Sequence, residues 1–303
     1  MIRLLSFTLL CFCCENKDNS QKEILELKDK QPTVATQEKK LSEAFKEYWY
    51  QGQAEITSFE LEQERYGEMR KGKAVLVYVT EDFLPQKQVK ANTYNSTNIP
   101  VLKLNATKNF NTGIYPYSIL ESTFFPLKKE QYPLKMSSSV QEWCGHTYTQ
   151  LNHKDQYEIS SHSYFEGEAD QNFKIDKALT ENEIWARIRV DPKRLPTAGF
   201  MMVPSLAYLK MNHKDIKTYE AFAIRDRGLY VVNYPGLKRT LSIVYNPEFP
   251  HDIISWSENS VIKTSSGEKN FLSKASRLNL LKTDYWNKNS NKDQVLRSEL
   301  KLD

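Results

Sequence analysis

The sequence predicts a mainly β protein of the α+β kind: a curved antiparallel sheet or half-barrel with a few covering helices. Three observations carry that expectation. Aromatic residues are abundant (17 Tyr, 14 Phe, 5 Trp) while glycine numbers only 10, a bias toward half-buried strands and away from glycine-rich nucleotide folds. Runs rich in Val, Ile, Thr and Tyr follow one another with short polar breaks, the pattern of consecutive antiparallel strands. Among the four cysteines only Cys144 lies beyond the first fourteen residues, so a hydrophobic core, not disulfides, must hold the body together. A two-sheet sandwich would suit the same number of strands.

The chain opens with MIRLLSFTLLCFCC, one basic residue followed by an apolar run that turns abruptly polar at Glu15. That run is too short to span a bilayer as a helix, which needs about 20 residues, and suits the apolar core of a secretory signal. A cysteine at the polarity switch is the mark of a lipoprotein signal. Residues 1–13 are therefore expected to be removed and Cys14 acylated. Residues 14–40, glycine-free and rich in mixed charge, read as a polar tether. Residues 41–303 read as a single β-rich domain with a polar C-terminal tail.

Within that domain Leu41, Ala44, Phe45, Tyr48 and Trp49 share a helical stripe that Gly52 can end. AEITSFELEQ and KAVLVYVTEDF form a hairpin across ERYGEMRKG, and the apolar residues at both parities of 73–79 indicate a strand covered on both faces. Strands are next expected at VLKLNATKNF, YSILESTFFPL, LKMSSSVQEWCGHTYTQL and QYEISSHSYFEGEA. A helix follows: Thr180 and Glu183 have the spacing of a capping box, Ile184, Trp185 and Ile188 form its apolar face, and Asp191-Pro192 closes it. AYLKM, TYEAFAI, LYVVNYP and RTLSIVYN are expected as strands. The last 45 residues read as polar except for Leu278 to Leu281 and a short helix near Asp293 to Leu300.

GQAEITSFELEQERYGEMRKGKAVLVYVTEDF, SSVQEWCGHTYTQLN, SHSYFEGEAD and the end segment DYWNKNSNKDQVLRSEL resemble an uncharacterised lipoprotein family of Bacteroidota, over about residues 45–300. The resemblance implies an acylated envelope protein of the outer membrane, facing the periplasm or the cell surface. Members often carry the label septum formation inhibitor Maf. The enzymes of that name are cytoplasmic nucleotide pyrophosphatases with an S-x-S-P-R-R motif; this chain has none, so the label brings no activity. The strand series is also similar in architecture to periplasmic lipoprotein carriers of the LolA and LolB type, a likeness of fold that does not establish function.

The densest chemical constellation is Glu142, Cys144 and His146, with His162, Tyr164, Glu166 and Glu168 downstream. Residues two apart in a strand share a face, so each row would point together. A hairpin loop with an odd number of residues would bring Cys144, His146, His162 and Glu166 to one face; an even number would separate the rows. Convergence would suit a zinc-type site or a Cys–His nucleophile in a periplasmic hydrolase. The same residues also fit a strand of alternating polar groups with Cys144 as a small hydrophobe. No Walker loop, H-E-x-x-H, G-x-S-x-G or EF-hand occurs, and no cofactor is expected. With 42 basic and 38 acidic side chains and a net charge of +4, a dedicated nucleic-acid binder is excluded. The expected function is non-enzymatic: a membrane-anchored envelope lipoprotein binding an apolar ligand in its curved sheet, or an envelope protein through an exposed apolar patch.

Overall fold

The computed structural model describes residues 41–128, 132–265 and 267–303; the signal, Cys14 and the tether lie outside them. Sixteen strands form one sheet: β1 (Ala54–Arg65), β2 (Glu68–Leu84), β3 (Val89–Lys90), β4 (Ile99–Thr112), β5 (Tyr115–Pro126), β6 (Lys135–Glu142), β7 (Gly145–His153), β8 (Tyr157–Ser163), β9 (Gln171–Ile175), β10 (Leu179–Thr180), β11 (Ala198–Val203), β12 (Tyr219–Asp226), β13 (Leu229–Tyr234), β14 (Arg239–Tyr245), β15 (Ile253–Thr264) and β16 (Gly267–Thr283). Four α-helices accompany them among the described residues: α1 (Glu43–Trp49), α2 (Glu181–Val190), α3 (Leu206–Met211) and α4 (Val295–Glu299).

The strand order is β10-β11-β12-β13-β14-β15-β16-β1-β2-β4-β5-β6-β7-β8-β9, with β3 beside β2. Every pairing is antiparallel except β10 with β11. The sheet is curved and unclosed, and its two free edges, β9 and β10, are consecutive in the chain. The expected curved antiparallel sheet is thus what forms, as one sheet and not a sandwich.

Alternation sets the two faces. Phe59 and Leu61 of β1, Leu76 and Tyr78 of β2, Leu102 and Leu104 of β4, Tyr117 and Ile119 of β5, and Tyr230 and Val232 of β13 join one buried cluster with Ile184 and Ile188 of α2. Both central helices therefore pack on the concave face, α2 against β4 and β5 and α3 against β5 and β6. At the seam side chains do what backbone pairing does not. Met136, Leu151 and Ile159 of β6–β8 pack with Val203 and with Leu206 and Leu209 of α3. The β1–β2 hairpin turns on Tyr66-Gly67, both at positive φ, the two-residue geometry that matches strand twist.

Four sequence expectations change. AYLKM is helical: Ser205 accepts the Tyr208 N–H at 3.2 Å as N-cap, and Leu, Ala, Lys and Met are good helix formers. LKMSSSVQEWCGHTYTQL is not one strand but two, β6 and β7, folded at Trp143-Cys144 with Glu142 opposite Gly145. The strand at QYEISSHSYFEGEA ends at Ser163. The last 45 residues carry most of the long β15–β16 hairpin, and the tail is not wholly polar, since Leu300 is buried against Ala54, Ile56 and Val79 on the convex face.

Candidate functional site

The concave face is not uniformly apolar. On the inward parity of β14, Arg239 stands in line with Leu241, Ile243 and Tyr245; on β4, Lys108 stands with Leu104 and Phe110; on β5, Glu121 stands with Ile119 and Phe125. These charges meet around a cavity of about 70 Å³ between the sheet and the two inner helices. Leu76, Leu104, Ala106, Ile119 and Leu241 line its apolar side, with Trp185 and Trp256. The two indoles meet edge to face at 5.2 Å.

Arg239 organises the polar side. Its guanidinium donates to both oxygens of Glu181 at 2.5 and 2.8 Å and to Glu258 at 2.6 Å, and lies 4.2 Å over the Tyr208 ring. Arg239 is 1% exposed. A charge so removed from water persists only when paired and hydrogen-bonded, which two carboxylates provide. Burial opposes ionisation of Glu258, but the charges of Arg239 and Lys108 outweigh it and hold the carboxyl below its ordinary value. Burial pushes the Tyr208 phenol up to about 12.

Glu121 reaches from the sheet to the helices. It accepts from Asn182 Nδ2 at 2.9 Å, from Ser205 Oγ at 3.1 Å and from the Ala207 N–H at 2.9 Å, fixing the start of α3 relative to α2. At the other end of α3, Arg65 donates to the Met211 carbonyl at 2.7 Å and to the Tyr117 hydroxyl at 3.1 Å. Arg65 thus ties the end of α3 to β1 and β5 beside the cavity, which it helps to line. Glu121 and Arg65 together seat α3 as an inner cover.

The residues singled out in the sequence lie elsewhere. Cys144 is exposed in the β6–β7 turn, its N–H bonded to Glu142 Oε2 at 2.8 Å, so no strand row joins Glu142, Cys144 and His146. The β7–β8 connection has three residues, 154–156, and Tyr148 faces His162. This odd loop gives His146 and His162 the same parity, yet both are exposed. His162 Nδ1 lies 3.2 Å from Asp170. Glu166 and Glu168 fall in the loop after β8. Glu168 turns to α3, accepting from Lys210 and lying 2.7 Å from His213 Nδ1. Among the described residues no group of three or more His, Cys, Asp or Glu is placed to hold a metal. A recess of about 20 Å³ at the turn end does gather Glu142, His146, Lys210 and His213.

Sequence reasoning missed Lys108, Glu121, Glu181, Arg239 and Glu258. A signal was present: Lys108, Glu121 and Arg239 each occupy the apolar parity of their strand, where a charge needs a buried partner.

No helix among the described residues is long and apolar enough to cross a membrane. Comparison with protein families finds no family model that matches the chain, and no curated protein matches it. Among solved structures, the chain is similar to a β-barrel-like protein of domain of unknown function DUF1849 from Brucella abortus, with 5% identity, 76% of this chain and 98% of that chain covered, and a TM-score of 0.43. It is also similar to a porin-like protein from Bacteroides uniformis, with 9% identity, 75% and 96% covered, and a TM-score of 0.21.

Proposed function

We propose that this chain is a non-enzymatic envelope lipoprotein, held to the outer membrane through an acylated Cys14, whose curved sheet and inner helices hold a small amphiphilic ligand. The observation that supports the binding reading is the cavity itself. It lies between the concave face and the two inner helices, and its lining mixes apolar side chains, two indoles among them, with Arg239, Glu121, Glu181 and Glu258, the mixed lining typical of ligand sites. Its size limits the occupant. At about 70 Å³ it has under half the volume of a cavity that takes a benzene ring, about 150 Å³. A whole lipid tail is therefore excluded while α2 and α3 are seated, and the ligand is small.

The test is a native mass spectrum of the protein purified from its own envelope. The expected mass is that of the chain from Cys14 plus its acyl groups and one small non-covalent molecule. A bare polypeptide mass, with neither acyl group nor bound molecule, overturns the proposal.

A further inference from the structure

Two recesses lie away from the inner cavity and share no lining residue with it. They adjoin near the end of β2, have a volume of about 330 Å³ each, and hold Thr80, Glu81, Asp82 and Tyr94 in common. Each alone reaches the size of a small-molecule site. Tyr94 comes from the 91–98 connection between β3 and β4 and is 83% exposed. That connection is folded on itself. The buried Asn98 donates through Nδ2 to the Thr93 carbonyl at 3.0 Å and through its N–H to the Asn95 carbonyl at 2.9 Å, and the Ala91 N–H donates to the Asp82 carbonyl at 2.8 Å. An ordered backbone thus presents the exposed ring. Tyr50 borders the first recess and Trp286 the second, both about half exposed, so each recess has two aromatic side chains at its wall.

The polar groups beside these rings are of both kinds. Burial and the nearby Asp82 charge push the Tyr50 phenol up, and among the described residues no hydrogen bond or ion pair takes up the Asp82 carboxylate. Asn92, Ser96 and Lys128 are exposed at the recesses and bring an amide, a hydroxyl and an ammonium. Formal charge cancels, Glu81 and Asp82 against Lys90 and Lys128, and Glu81 is already met by Lys90 at 3.7 Å and Lys103 at 3.4 Å. A small ion of either sign gains little from such a set, and an apolar molecule would cover polar groups without pairing them. A hydroxyl both donates and accepts. Aromatic walls with donors and acceptors interspersed therefore suit a ring with C–H groups on its flat face and hydroxyls around its edge. From this juxtaposition we infer that the two recesses bind a neutral saccharide of at least two pyranose units, one in each recess, with Tyr94 serving both. Sugar hydroxyls donate to Asp82 and Asn92 and accept from Ser96 and Lys128, while the ring faces lie against Tyr94, Tyr50 and Trp286.

The test is a titration of the full mature protein, isotope-labelled at tryptophan, with maltose, cellobiose and N,N′-diacetylchitobiose, and in parallel with glucose, glycerol, acetate and ethylamine. NMR follows the indole N–H of Trp286 against those of Trp185 and Trp256, which line the inner cavity. The expected result is that at least one disaccharide shifts Trp286 saturably and leaves Trp185 and Trp256 in place. Glucose binds more weakly than that disaccharide, and glycerol, acetate and ethylamine give no saturable shift. Tyr94→Ala, at an exposed side chain, weakens the disaccharide by about 3- to 10-fold and keeps the thermal unfolding midpoint. Asp82→Ala weakens it by about 10-fold. A Trp286 signal that none of the three disaccharides moves overturns the inference. So does acetate or ethylamine binding as tightly as the best disaccharide, or disaccharide binding indifferent to both Tyr94→Ala and Asp82→Ala. Glucose binding as tightly as the disaccharide overturns the two-unit site. Trp185 and Trp256 report the inner cavity separately, so failure here leaves the amphiphile-binding proposal standing.

Discussion

Arg189 offers the sharpest test of how this interior is held together. It lies on α2, and its guanidinium forms a two-pronged pair with Glu55 of β1, Nη2 to Oε2 at 2.6 Å, and donates through Nε to the Pro250 carbonyl at 3.0 Å. The rings of Trp49 and Tyr78 flank it at 5.0 and 4.8 Å, and both charged side chains are 0% exposed. Arg189→Met keeps an unbranched stem out to the position of Nε but leaves Glu55 buried with the Tyr48 hydroxyl, at 2.5 Å, as its main polar support. Breaking a buried pair in this way costs about 3–5 kcal/mol. With a urea slope of about 3 kcal/mol per molar, the unfolding midpoint should fall by about 1–1.7 M. The double variant Glu55→Leu/Arg189→Met removes both charges, and replacing a whole buried pair is often close to neutral. It should therefore be more stable than either single variant. Equilibrium urea unfolding of the four proteins gives the coupling directly. Single losses below about 1 kcal/mol, or a double loss equal to their sum, would refute the reasoning.

Further outcomes follow from the geometry. Gly72→Ala should destabilise by about 1–3 kcal/mol or more, because a Cβ there would stand 2.1 Å from the Asn109 carbonyl oxygen and 2.8 Å from Phe110 Cβ; thermal unfolding measures it. Thr180→Ala should cost about 1 kcal/mol at the α2 cap. Glu183→Ala should cost about 3–5 kcal/mol, since Glu183 accepts the Thr180 N–H at 2.7 Å and pairs with the buried Arg187; chemical unfolding of both orders the two effects. Burial raises the Glu168 carboxyl, but Lys210 and His213 outweigh it, so its folded value lies below the ordinary one. The stability it lends to the end of α3 is then full above the unfolded value of about 4.3 and lost as pH falls through the folded one. Amide exchange in residues 206–213, corrected for intrinsic rates, should show that acid step, and Glu168→Gln should abolish it. Cys144→Ser, in an exposed turn, should change stability by less than about 0.5 kcal/mol and leave metal content unaltered by elemental analysis; a loss of bound metal would restore the cysteine–histidine site.

What could be read in advance follows where water is excluded by apolar atoms. RTLSIVYN and KAVLVYVTEDF announce themselves because one or both parities are apolar. In β15 and β16 the inward positions include Glu258, Ser260 and Ser273, because this part of the sheet faces the charged cavity. The periodicity is interrupted there, and strand and site were hidden by one cause. The β6–β7 turn lacks the Asn-Gly or Asp-Gly pair that usually marks a two-residue hairpin, so Trp143-Cys144-Gly145 read as mid-strand. AYLKM is short enough for either periodicity, and only the Ser205 cap decides it. Glu181, Arg239 and Glu258 come from three distant segments, so the inward parity of Arg239 calls for a buried partner without saying which.

The strand order also dictates an order of events. β1 pairs on one side with β2, its immediate successor, but on the other with β16, Ala54 facing Thr283. During synthesis the growing chain can complete β1 to β9 while one side of β1 waits for the last strand to be made. For that interval a twelve-residue edge with open backbone groups stands available to any other extended chain, the arrangement most prone to wrong pairing. The final hairpin, β15–β16, is thus also the stopper of the sheet. Truncations before residue 283 should aggregate rather than yield a shorter, looser form of the same protein.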